Sequence, residues 1–250
     1  MVKLTTRNIA LIAVFAALYY ILSIISPYVP AIGVPDIKIQ LEALIASVFG
    51  LILGPYLGFL TAFMGAFVAW VLPPGSMSSY GMPFLLSPPF NALVVGLIYY
   101  RKWKQAFVIL GLLIAAFLFL PPSQPFTEFW YVSVAVIWDK VIALLLIVPS
   151  AKFAKQFSSI KSVPILYFLL AFIGNQADNM WGSDIFAVPI VYNGIFGYTI
   201  EGVRGAFIVS PFIYPAIRIV QAIFAAIIAA PLLPALRNAG WMLQEKTIVD

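Results

Sequence analysis

The hydrophobic pattern is dominated by long apolar runs broken by short polar or Pro/Gly-rich stretches. Two such runs meet at Gly54-Pro55 inside the segment Gln40 to Trp70. Proline lacks a backbone donor and disfavours helix in the residue before it, so the first run is expected to end at that point. Gly50, Gly54, Gly58, Ala62 and Ala66 recur every four positions. Within each run this spacing puts small residues on one helix face. Small residues let membrane helices approach closely, and packing then holds them together. The segment is therefore expected to form a tight helical hairpin against which other helices pack.

The same pattern places a first span at Asn8–Ile25, read as a retained helix rather than a cleaved leader because Ser26-Pro27-Tyr28 is a poor cleavage site. A Pro-rich loop, Pro27–Lys38, leads to the hairpin, which supplies spans two and three. After the loop Pro73–Gly81, span four covers Pro83–Tyr100, interrupted at Pro88-Pro89. Gln105–Leu120, Phe129–Val148 and Ser162–Ala177 give spans five to seven. A long polar and aromatic loop is expected from Asp178 to Arg204. Span eight runs to about Leu233, with Pro211 and Pro215 near its start.

Composition narrows the class. The chain has 250 residues, 63% hydrophobic and 9% charged. Mean hydropathy is +1.05. Soluble domains average about half apolar and about a quarter charged. The expected architecture is an all-α polytopic membrane bundle of about eight, at least six, transmembrane helices in one membrane domain, with both termini cytoplasmic. Charge fixes the orientation. With the N-terminus inside, Lys3, Arg7, Arg101, Lys102, Lys104, Lys152, Lys155, Lys161, Arg237 and Lys246 fall on the cytoplasmic side, and only Lys38 and Arg204 outside. The net charge of +5 reads as this asymmetry and not as a nucleic-acid surface.

The residue inventory removes several chemistries. There is no cysteine and no histidine, hence no disulfide and neither the thiolate nor the imidazole that commonly bind metals. No metal site and no cofactor are expected. The chain has no G-x-x-x-x-G-K-[ST], no H-E-x-x-H and no G-x-S-x-G, so no motif supports ATP hydrolysis, a zinc protease or a serine hydrolase.

The unusual residues gather on the outer face. Asn175, Gln176, Asp178, Asn179, Trp181, Asp184, Tyr192 and Asn193 follow span seven. Trp70, Tyr80, Glu128, Trp130 and Tyr131 come from the facing loops. Aromatics beside a few hydrogen-bonding groups suit a pocket for a planar polar solute. The aromatics equally suit an interfacial belt, and the polar cluster equally suits a hydrogen-bonded loop. Asp139, Lys140 and Arg218 lie within spans, where charges are costly and pair. Adjacent residues on a helix point about 100° apart. The expected bridge is therefore Asp139 to Arg218, with Lys140 facing a cavity or snorkelling. That bridge either serves function or only fixes helix packing.

The start TTRNIALIAVFAALYYILS, the LGPYLG turn and the ending LIYYRKWK resemble the substrate-binding S component of energy-coupling factor (ECF) transporters over residues 5 to 104; residues 105 to 250 supply further helices. In that family an A-x-x-x-A face on the first helix docks on a transmembrane coupling subunit, and Ala13 and Ala17 match it. Gly54, Pro55 and Gly58 match its G-P-x-x-G turn. Eight spans exceed the family's usual six. The resemblance implies a multi-pass plasma-membrane protein that captures a vitamin or similar micronutrient at its outer face. It further implies partners: a transmembrane coupling protein and ATPase subunits, besides the small-molecule substrate and membrane lipid. The competing reading is a membrane-embedded enzyme or ion-coupled carrier using Asp139, Lys140 and Arg218.

Overall fold

The computed structural model describes residues 5–26, 30–31, 34–39, 41–75, 77–157, 163–209, 211–242 and 247–249. Lys3, Lys161 and Lys246 lie outside them. Helix α1 (Thr6–Ile25) starts where the Thr5 side chain accepts the Asn8 amide N–H, capping an orphan donor. Its Leu11, Phe15, Ala16 and Tyr19 are buried, while Ala13 and Ala17 are exposed. A short antiparallel pair follows, β1 (Pro30–Ala31) with β2 (Val34–Lys38), where the sequence reads as loop. A strand pair this small is all edge, and edges tolerate proline.

Helix α2 (Leu44–Val71) is two helices joined at a reversal. Gly54 sits at φ 76°, ψ 179°, a conformation only glycine adopts freely. Pro55 then opens the second arm. The arms run back along each other: a Cβ added at Gly58 would stand 3.0 Å from the Gly50 Cα. Helix α3 (Ser87–Tyr99) packs into the same crossing. A Cβ at Gly50 would meet the Ala92 carbonyl oxygen at 2.3 Å, and one at Gly96 the Pro55 nitrogen at 2.5 Å. Gly50, Gly54 and Gly58 are thus used inside the bundle, on backbone contacts among both arms and α3, while Ala62 and Ala66 are buried further along the second arm. Lipid tails are as apolar as leucine, so this close packing rather than water exclusion holds the helices together.

Pro88 and Pro89 do not interrupt α3. They occupy its first turn, where the missing N–H has no intrahelical partner to lose. Helices α4 (Trp103–Phe117) and α5 (Phe126–Lys152) follow. Helix α6 (Val163–Phe186) continues well past Ala177. Short α7 (Pro189–Tyr192), α8 (Ile200–Val209) and long α9 (Ile213–Asn238) complete the described helices. The expected long loop 178–204 is therefore mostly helix, and Asp178, Asn179, Trp181 and Asp184 stand on α6. Polar residues read as loop because side chains dominate hydropathy. A helix satisfies its own backbone, and Asn175 and Asp178 turn inward to partners on α3 and α9.

Among the described residues, Thr6–Ile25, Met82–Tyr99, Phe126–Lys152 and Ile213–Asn238 are long and apolar enough to cross a bilayer, and so is Leu41–Val71 by length and composition, although it doubles back at Gly54. α4 is a shorter apolar helix. The molecule is a polytopic α-helical membrane protein.

Candidate functional site

A cavity of about 580 Å³ opens among α1, the turn that leads into α2, the second arm of α2, α3, α5, α6, α8 and α9. Glu42, in the short 3-10 turn (Leu41–Ala43) just before the first α2 arm, and Ala69 and Trp70 at the end of the second arm share its wall, as the reversal at Gly54 brings those two ends together. Part of the lining is aromatic. Trp70 is held as wall by an indole N–H donated to the Ser78 carbonyl at 2.7 Å. Tyr80, Phe84, Phe186 and Phe207 lie nearby. They adjoin a small aromatic cluster in which Phe196 packs 5.1 Å from Tyr80 and 5.5 Å from Phe186. α8, at the edge of that cluster, is tied down by Arg204. Its guanidinium donates to the carbonyls of Pro122 (3.2 Å) and Gln124 (2.7 Å) and lies over the Phe129 ring.

The lining is also charged. Asp139, Lys140, Asp178, Asn179 and Arg218 all line the cavity. The expected Asp139–Arg218 bridge is not formed. Lys140 Nζ lies 2.9 Å from Asp139 instead, and Arg218 Nη2 lies 3.2 Å from Asp178. The four-carbon lysine stem is flexible enough to fold its ammonium back over the preceding carboxylate. Arg218 finds Asp178 because α6 carries that residue into the bundle rather than into a loop. Arg218 Nη1 also donates to Gln221 Oε1 at 2.9 Å. Such a pair left half-broken in a low-dielectric interior would be costly, so each of these four charges has its counter-charge in the wall itself.

The remaining sequence candidates are dispersed. Asn175 is fully buried behind the cavity wall, donating to the Arg218 carbonyl. Trp181 stacks on Phe90 with ring centroids 4.5 Å apart. Asp184 is buried on α6 and is not part of the lining. Tyr192 packs in the aromatic cluster, and exposed Asn193 donates to the Tyr198 carbonyl. Glu128, Trp130 and Tyr131 are exposed on the first turns of α5, away from the cavity. Sequence reasoning passed over Tyr19, Glu42, Ser87 and Tyr214, which do line it. Tyr19 carried the one available signal: it falls one α-helical turn from Phe15 on the face that meets the hairpin.

Comparison with known proteins bears on what such a cavity holds. Residues 3–121 match the model of the family described as ECF-type riboflavin transporter, S component. The match supports an ECF S component. It covers α1, the hairpin, α3 and α4, the part of the bundle that the resemblance rests on. No curated protein and no solved structure matches the chain. An S component is the substrate-binding part of a transporter and not an enzyme, and with the apolar helices it places this chain as a multi-pass plasma-membrane protein.

Proposed function

We propose that this protein captures a planar, polar, riboflavin-type solute in the cavity and delivers it through separate transmembrane and ATPase subunits. The observation that carries the reading is the cavity itself: about 580 Å³, lined by both aromatic and charged side chains, in a bundle whose first half matches the S component family. Its volume falls within the range of small-molecule sites, about 300–1,000 Å³. Trp70 and Tyr80 offer faces for ring stacking. Lys140 and Arg218 offer donors, and Asp139, Asp178 and Asn179 offer acceptors, to polar ring edges. The exposed Ala13 and Ala17 lie on the side of α1 turned away from the hairpin, as a docking face for a coupling subunit requires.

Purified protein titrated with riboflavin, followed by quenching of flavin fluorescence, tests the reading. Trp70→Ala and Asn179→Ala are each expected to weaken binding, the latter by about 0.5–1.5 kcal/mol for a lost neutral hydrogen bond. Wild-type affinity in both variants, with Arg218→Lys also unchanged, would place the solute elsewhere. Native mass spectrometry of the untreated preparation identifies a retained solute directly.

A further inference from the structure

A chain of buried side-chain hydrogen bonds crosses four helical segments and ends at the cavity wall. The Ser47 hydroxyl on the first α2 arm donates to Asn91 Oδ1 on α3 at 2.8 Å. Asn91 Nδ2 donates to Asn175 Oδ1 on α6 at 2.8 Å. Asn175 Nδ2 donates to the backbone carbonyl of Arg218 on α9 at 3.2 Å. Ser47, Asn91 and Asn175 are each 0% exposed, and none of them lines the cavity.

The chain has one possible polarity. A backbone carbonyl only accepts, so Asn175 must turn its NH2 toward Arg218 and its oxygen toward Asn91. Asn91 must then donate to Asn175 and accept from Ser47. Each amide orientation is dictated by the next, starting from Arg218. Steric fit closes the remaining freedom: a Cβ at Gly174 would lie 2.2 Å from Asn91 Oδ1, so the amide fills the space a side chain there would take. One helical turn beyond Asn175, Asp178 holds the Arg218 guanidinium. Helix α6 thus grips Arg218 at two points, backbone and fork. Apolar side chains would pack these helices without the desolvation cost of two amides, so packing alone does not account for the chain.

We propose that Ser47, Asn91 and Asn175 are positioning residues that set where the Arg218 guanidinium stands in the cavity, and so determine how well it meets an acceptor group on the solute. The inference rests on the reading of Arg218 as a solute-facing donor. It makes the first arm of the hairpin, through Ser47, part of the binding apparatus without touching the ligand.

A double-mutant cycle on the full-length protein, with riboflavin as the probe, tests it. Asn91→Ala and Arg218→Lys alone are each expected to weaken binding roughly three- to tenfold, the scale of one hydrogen bond. Asn91→Ala added to Arg218→Lys is expected to change affinity less than about twofold, because the group it positions is already gone. Two losses that multiply would overturn the inference, since a general packing role harms both backgrounds alike. Ser47→Ala, a smaller lesion at the far end of the chain, gives the same comparison if Asn91→Ala does not fold. An Arg218→Lys variant that binds as tightly as the parent would overturn this inference alone, whereas a parent that does not bind riboflavin would overturn the reading of the cavity and this inference with it.

Discussion

At the residue scale, the buried ion pairs dominate the energetics of the site. Asp139 is 2% exposed and Lys140 4%, so neither charge has water to fall back on. Removing one partner leaves the other uncompensated, a loss of about 3–5 kcal/mol in buried pairs. Lys140→Met is accordingly expected to lower the thermal midpoint sharply in detergent, read by intrinsic fluorescence. Replacing both, Asp139→Leu with Lys140→Met, should recover much of that midpoint, because the desolvation cost vanishes with the pair. A double variant no more stable than the single one would show that Asp139 and Lys140 also serve other partners. Trp181 belongs to the same scale. Stacked on Phe90 and outside the lining, Trp181→Ala should reduce stability while leaving riboflavin affinity within about twofold of the parent.

At the element scale, the hairpin and the C-terminal segment each tie several helices together. Gly54→Ala forces a Cβ into an extended positive-φ backbone that is nearly exclusive to glycine, at a cost of about 1–3 kcal/mol. Gly50→Ala is expected to be worse, since its Cβ would collide with the Ala92 backbone carbonyl, which cannot swing aside as a side chain can. Ranking both variants by thermal midpoint checks the order, and Gly54→Ala proving the more harmful would contradict the packing described. At the opposite end from the cavity, the Ile248 amide donates to the Tyr99 carbonyl at 2.8 Å, at the end of α3. Arg101 Nε donates to the Thr247 carbonyl at 2.7 Å, and Arg237 reaches the Thr247 hydroxyl. Arg7 on α1 donates to the Gly240 carbonyl just past α9. The segment therefore covers the junction of α3, α4 and α9. Truncation after Met242 is expected to speed amide hydrogen exchange over Tyr99 to Lys102 and to leave the cavity-lining segments protected. Unchanged exchange at that turn would show that the segment rests there without holding it.

At the scale of the whole molecule, orientation follows from charge and from where the cavity opens. Ser79 lies exposed in the loop beside the cavity, and Gln156 lies exposed beyond α5 at the other end. Because the chain has no cysteine, single substitutions report cleanly. Ser79→Cys is expected to react with an impermeant maleimide on intact cells, and Gln156→Cys only after permeabilisation. The reverse pattern would invert the topology and put the cavity on the cytoplasmic side.

What the sequence determined by itself was whatever depends on local spacing. Apolar run length set the helices from α1 to α5, and Gly54-Pro55 set the reversal, because backbone conformation and missing donors are properties of single residues. Spacing of Ala13 and Ala17 with the LGPYLG turn carried the resemblance that the family match over residues 3–121 then supported. What tertiary structure decided was every question of partner. The polar run after Asn175 reads as loop in isolation. Within the bundle it is helix, because Asn91 and Arg218 on other helices receive its side chains. For the same reason Arg218 on α9 pairs with Asp178 on α6, a choice made by which charges the packing brings within reach once the helices have assembled, whereas Lys140 reaches Asp139, its neighbour on α5, by folding back its own stem.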